Sequence, residues 1–207
     1  MMQDILTIMG KEFREWFHQR GNRRGGIFVM VVPALVFGVM FPIQYGAAWV
    51  SSPATLAMLA WMPMLLVIAL IADSIAGERE RHTLETLLAS RLSDSAILFG
   101  KVCAAAMYAI AFTMILAVIS LVTVNATHWE GHLLMYPANW LAVGAVITVL
   151  LAMLGSSAGV LVSMRASSAR EAQQILSISI IGFVIVTVVI FQLLPQPVIQ
   201  RIDDFFD

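Results

Sequence analysis

From the first residue, apolar positions recur at helical spacing and then merge into long uninterrupted runs. Ile5, Met9, Phe13, Trp16 and Phe17 return every three to four residues, with Asp4, Lys11, Glu12, Arg14 and Glu15 filling much of the remainder. An apolar stripe containing Trp and Phe, flanked by charge and ending in Arg23-Arg24, predicts an amphipathic helix over 1–25 lying along a membrane interface. A soluble helix packed on another subunit is the competing arrangement. Beyond it the pattern changes. Five stretches, 27–48, 54–72, 97–124, 138–164 and 172–194, carry no Lys, Arg, Asp or Glu in their middles. Crossing a hydrocarbon core of about 30 Å takes roughly 20 helical residues, and each stretch reaches about that length. The pattern predicts an all-α, polytopic membrane protein, a single transmembrane domain over 1–207 with five spans. Pro33 and Pro63 fall inside the first two and predict kinks, which neighbouring helices and hydroxyls make tolerable.

Composition agrees. The 207 residues are 60% hydrophobic and 12% charged, against about 25% charged in an ordinary soluble domain. Such a chain cannot cover its apolar faces in water. Charge adds orientation. Lys11, Arg14, Arg20, Arg23 and Arg24 precede the first span, Arg79, Arg81, Arg91 and Lys101 lie between the second and third, and Arg165 and Arg170 between the fourth and fifth. Eleven of the twelve basic residues therefore share one side, which the positive-inside rule makes cytoplasmic. The expectation is a multi-pass protein of the cell (plasma or inner) membrane, in direct contact with the lipid bilayer, its N-terminus cytoplasmic. Tyr45, Trp49, Trp129, Tyr136 and Trp140 fall in the opposite loops, suited to an outer aromatic belt. The first twenty-five residues lack the continuous apolar stretch and cleavage site of a signal peptide. No basic footprint for nucleic acid exists. The single cysteine, Cys103, excludes an intrachain disulfide.

The longest cytoplasmic connection runs from Ala76 to Lys101. Gly77 is placed to end the second span. Leu84, Leu87 and Leu88 line one face of a short helix, Glu85 and Thr86 another, and Ser93-Asp94-Ser95 supply capping oxygens for the third span. The alternating Glu78, Arg79, Glu80 and Arg81 can pair with charges on a soluble partner. A solvated loop with capping residues fits the same residues.

Within 72–101, Gly77-Glu-Arg-Glu-Arg, Thr83-Leu-Glu-Thr-Leu-Leu, Leu92-Ser, Ile97 and Gly100-Lys101 together resemble the signature of the ABC-2 type transporter permeases. The order of parts is similar as well: interfacial helix, two spans, this connection, further spans. The resemblance implies that segment 77–95 contains a coupling helix seated in a groove of a separate ABC-type ATP-binding subunit. Its contact candidates are Glu78, Arg79, Glu80, Arg81, Thr83, Leu84, Glu85, Leu87 and Leu88. It also implies an exporter, with ATP and Mg held by the partner ATPase and a pathway formed by two copies, or one copy and a similar chain. Two departures stand out. Arg91 occupies a position where family members commonly have Pro, and the family layout has six spans with both termini inside. Five spans place Arg201, Asp203, Asp204 and Asp207 outside.

Other chemistry is weaker. No Gly-x-x-x-x-Gly-Lys-Ser/Thr phosphate loop occurs, so this chain is expected to bind no cofactor and to hydrolyse no ATP itself. Gly155-Ser156-Ser157-Ala158-Gly159 fits both a nucleophile elbow and a Gly-x-x-x-Gly packing motif. It lies in an apolar run, and no span contains a histidine to act as base, so Gly155 and Gly159 are read as helix-packing positions and no catalytic residue is assigned. His128 and His132, with Glu130 between them, have helical spacing but no third ligand, and no metal site is assigned. Asn125-Ala-Thr127 matches a glycosylation triplet at chance frequency. A secondary transporter would place ionisable groups near the midplane, which these spans lack. A noncatalytic scaffold or assembly factor, needing no coupling segment, is the remaining alternative.

Overall fold

The computed structural model describes residues 2–21, 31–85, 89 and 92–193. All regular structure among them is helical. The order is α1 (Met2–Gly21), α2 (Val31–Tyr45), α3 (Ala48–Ser51), α4 (Pro53–Ser74), α5 (Ala76–Glu80), α6 (Asp94–Thr127), α7 (Ala138–Arg165) and α8 (Ala169–Leu193). The α6 helix, at 34 residues, is roughly 50 Å long and overruns a hydrocarbon core. Ser93 starts it, its hydroxyl accepting the Ala96 N–H at 3.3 Å.

Proline shapes α2 differently from a simple kink at Pro33. Residues Val36–Met40 form a π-helical turn, and Pro42 follows as the second residue of the resumed α-helix. Pro42 has no N–H to give the Gly38 carbonyl one turn back. The Thr123 hydroxyl of α6 donates there instead, at 2.9 Å. Pro63 lies within α4, which remains α-helical through it.

The outward surface is apolar. Met114, Val118 and Val122 of α6 and Val146, Leu150 and Leu161 of α7 are all exposed, consistent with a helical membrane protein. Inside, the chain relies on small residues, because apolar surface gains nothing by leaving lipid for protein and close van der Waals contact has to serve instead. Ala104, Ala105 and Ala109 of α6 and Ala152 of α7 are wholly buried. The α4 helix is central, packing on α6, α7 and α8. Gly159 of α7 lies so close to it that a Cβ there would meet Ile71 Cγ2 at 2.6 Å. A Cβ on Gly155 would stand 3.3 Å from Met64 Cγ. Both glycines thus face a helix of their own chain.

Three of the five belt aromatics are used inside. Trp49, Tyr136 and Trp140 are buried, whereas Tyr45 and Trp129 are exposed. For Tyr136 the polar end is internally bonded: the Tyr136 and Ser120 hydroxyls lie 2.8 Å apart. The Asn125 amide donates to the Leu121 and Leu134 carbonyls and accepts the Leu134 N–H, tying the 128–137 loop to α6.

Candidate functional site

The α4 helix ends at Ser74, and Ile75 breaks it. Ser163 of α7 holds the break: its hydroxyl accepts the N–H groups of Ile75 at 3.3 Å and Ala76 at 3.0 Å. Gly77 therefore does not terminate the span. It is buried inside the single turn of α5. The left-handed residue that turns the chain is His82, with φ of 56°. Thr83 closes this turn, donating its N–H and hydroxyl to the Glu78 carbonyl at 2.9 and 3.2 Å.

The three charged side chains of α5 reach different helices. Successive residues on a helix point about 100° apart, so they fan out. Glu78 is buried, its Oε1 accepting from Lys11 Nζ of α1 at 2.6 Å and lying 3.2 Å from Lys101 Nζ of α6. Lys101, only 1% exposed, also donates to Glu12 Oε1 of α1 at 2.6 Å and to the Ser74 carbonyl at 2.9 Å. Gly100 makes room for this contact, since a Cβ there would lie 2.6 Å from Ile8 Cγ2. The N-terminal helix is thereby packed on α6 of its own chain.

Arg79 forks across the last turn of α7, donating to the carbonyls of Ala166 at 2.9 Å and Met164 at 2.8 Å. A helix C-terminus leaves such carbonyls without partners and carries partial negative charge. Glu80 does the converse, its Oε1 accepting the Ala169 N–H at the start of α8 at 3.0 Å. That helix is also capped by Ser168, whose hydroxyl accepts the Glu171 N–H at 3.1 Å, while Glu171 accepts from Ser167 in return. These hydrogen bonds hold the Glu171 carboxyl below its ordinary pKa.

Burial acts in the opposite sense on Glu12 and raises its pKa, with Lys101 pulling less strongly the other way. For Lys11, burial lowers the pKa, but the hydrogen bond and charge of Glu78, with Glu15 and Glu12 adding, outweigh it and the net shift is upward. Carboxylate oxygens of Glu12, Glu15 and Glu78 lie within 4.8 Å of one another. Lys11 and Lys101 already contact all three carboxylates, which leaves a metal ion little to gain.

Of the nine contact candidates read from sequence, Glu78, Arg79, Glu80 and Thr83 thus bond within their own chain. Arg81, Thr83 and Glu85 are exposed, and Leu84 is half-buried against a core that includes Ile71, Val102 and Val160. Leu87 and Leu88 lie outside the described residues, as does most of the helix expected around them. Lys11, Glu12 and Lys101 were not among the candidates. The available signal was Lys101 itself, a cation at the start of an apolar helix. Nearby, Arg170, Gln173, Gln174, Ser177 and Ile178 of α8 line a groove of 610 Å³, a polar face hidden by the apolar average of that helix.

Comparison with known proteins matches the ABC-2 type transporter family over residues 3–203. The chain is also similar to the ABC transporter permease protein NatB of Bacillus subtilis (strain 168), at 30% identity over 136 residues. That alignment covers 58% of this chain and 34% of the relative, so the chain spans about a third of the length of the curated relative it matches. No solved structure matches.

Proposed function

Because the chain belongs to the ABC-2 type transporter family, we propose that it forms the translocation pathway of an exporter as a dimer, or with a similar chain, in the cell membrane. ATP and Mg are bound and hydrolysed by a separate ABC-type subunit. The basic end of the bundle, with the N-terminus, faces the cytoplasm, and the ATPase docks at segment 81–89, where Arg81, Glu85 and Ala89 are exposed. The observation that supports this most is the contrast within the motif. Glu78, Arg79 and Glu80 are committed to four helices of their own chain, while Arg81 and Glu85 immediately beyond carry exposed charge.

The test is co-expression with the candidate ATP-binding subunit and purification through a tag on this chain. ATPase activity is expected to co-purify with the native protein. Arg81→Glu combined with Glu85→Lys should reduce the recovered activity at least about tenfold, as opposed charges across an interface become like charges. If no ATPase accompanies the native chain, a noncatalytic scaffold becomes the better reading.

A further inference from the structure

We infer that the outward polar face of α8, formed by Arg170, Gln173, Gln174 and Ser177 with Ile178 beyond them, holds the phosphate headgroup of an anionic phospholipid. These residues fall at i, i+3, i+4, i+7 and i+8, which is one side of a helix, and together they line a groove of 610 Å³. The other side of α8 is apolar: Ala172, Leu176 and Ile180 are buried in a core with Met64, Ala76 and Ala166. The helix therefore turns its polar side away from its own bundle. Arg170, Gln173 and Gln174 are exposed and Ser177 is half-buried, and none of the four side chains has a polar partner among the described residues. Hydrocarbon offers such groups no hydrogen bond, so in a bilayer they need a polar partner from outside the chain.

The placement and chemistry of the groove fit an anion that carries an apolar tail. The α8 helix begins beside Arg79 and Glu80, at the basic end of the bundle. From Arg170 to Ser177 it rises roughly 10 Å, enough to lead from the headgroup region into the hydrocarbon, the two zones that a phospholipid itself joins. A guanidinium pairs with phosphate oxygens through parallel N–H donors. The Gln173 and Gln174 carboxamides and the Ser177 hydroxyl can donate to the remaining phosphate or ester oxygens, and Ile178 offers apolar surface to the chain below. The helix N-terminus is not the site, because the Ala169 and Glu171 amides are already accepted by Glu80 and Ser168. Charge selects the headgroup. Arg165 is exposed at the end of α7, while the nearby carboxylates of Glu80 and Glu171 are bonded to the Ala169 and Ser167 amides. A choline cation would meet the arginines, whereas a glycerol headgroup brings no positive charge. Such a site needs no ATPase subunit, and neither does its test.

The experiment is native mass spectrometry of the full chain in mild detergent, titrated with phosphatidylglycerol, phosphatidylcholine or inorganic phosphate. The native protein should bind one phosphatidylglycerol per chain at least about fivefold more tightly than phosphatidylcholine, the scale of one basic residue against an anionic lipid. Inorganic phosphate, which has no acyl chain, should not displace it. Arg170→Gln should remove most of that preference, and Gln173→Leu with Gln174→Leu should weaken both lipids, which share the phosphate. Arg165→Gln should cost less than about twofold, because Arg165 does not line the groove. Equal losses at Arg165 and Arg170 would reduce the effect to diffuse surface charge and overturn the site, as would displacement by inorganic phosphate. A dimer that shows no lipid preference and falls to monomers with the paired glutamine substitutions would give this face to a second copy of the chain, and would overturn it too.

Discussion

Replacing Lys101 with methionine is expected to destabilise the protein by about 3–5 kcal/mol, the range seen when one member of a buried ion pair is removed. The Lys101 ammonium is 1% exposed and lies within 3.2 Å of both Glu12 and Glu78. Methionine preserves most of the volume but leaves two carboxylates buried, with Lys11 alone to answer them. Unfolding in mixed detergent micelles, followed by helical signal, reads the loss. Glu12→Gln should cost much less, because burial already favours the proton on Glu12.

The sign of the pH dependence follows. A carboxyl whose folded pKa is raised contributes stability that is full below its unfolded pKa and is lost as pH rises through the folded value. Native stability should therefore decline as pH rises above the ordinary value of 4.5 for Glu12 and through the raised one. Glu12→Gln should flatten that decline, and Lys101→Met should steepen it. Lys11 contributes at the other extreme. Its pKa lies above the ordinary 10.5, so its contribution is full below 10.5 and is lost only as pH rises through the folded value.

Gly159→Val should destabilise by about 1–3 kcal/mol through overpacking. The Cβ it adds would overlap Ile71 Cγ2 at 2.6 Å and approach Ile71 Cβ at 3.2 Å, and Ile71 is fully buried. Nothing there is the free end of a flexible chain. Ile71→Ala in the same molecule should recover part of the loss, a coupling above about 0.5 kcal/mol marking direct contact. Gly155→Ala should be milder, because its nearest neighbour is the Cγ of unbranched Met64 at 3.3 Å. Thermal aggregation midpoints of Gly159→Val, Ile71→Ala, their double variant, Gly155→Ala and the native protein check the ranking.

The helical membrane architecture was legible because it depends on composition summed over long runs, and Ser93 as a cap because capping is local. What pattern could not supply was the destination of a side chain across space. Glu78, Arg79 and Glu80 read alike as a charge run, and only the ends of α7 and α8 lying beside α5 turn two of them into caps. Gly77 was misplaced as a terminator because its propensity is shared with helix interiors that need close packing, while His82 took the left-handed position that sequence statistics give to glycine. The belt aromatics failed similarly. Trp49, Tyr136 and Trp140 have the composition of an interface but are buried, Tyr136 on a loop tied down by Asn125 and Trp140 in the first turn of α7. One signal was present and unread: Ser168-Ala169-Arg170-Glu171 is a capping-box sequence, and it marks the start of α8.

The central claim, that segment 81–89 is where a separate ATPase meets this chain, is tested most directly by proximity in intact membranes. A cysteine replacing Ala89 on the Cys103→Ser background, treated with a short bismaleimide, should form an adduct with a co-expressed ABC-type ATP-binding subunit bearing a cysteine in its docking groove. A cysteine replacing Leu133, exposed at the opposite end of the bundle, should form none. Adduct from both positions, or from neither, would contradict the claim.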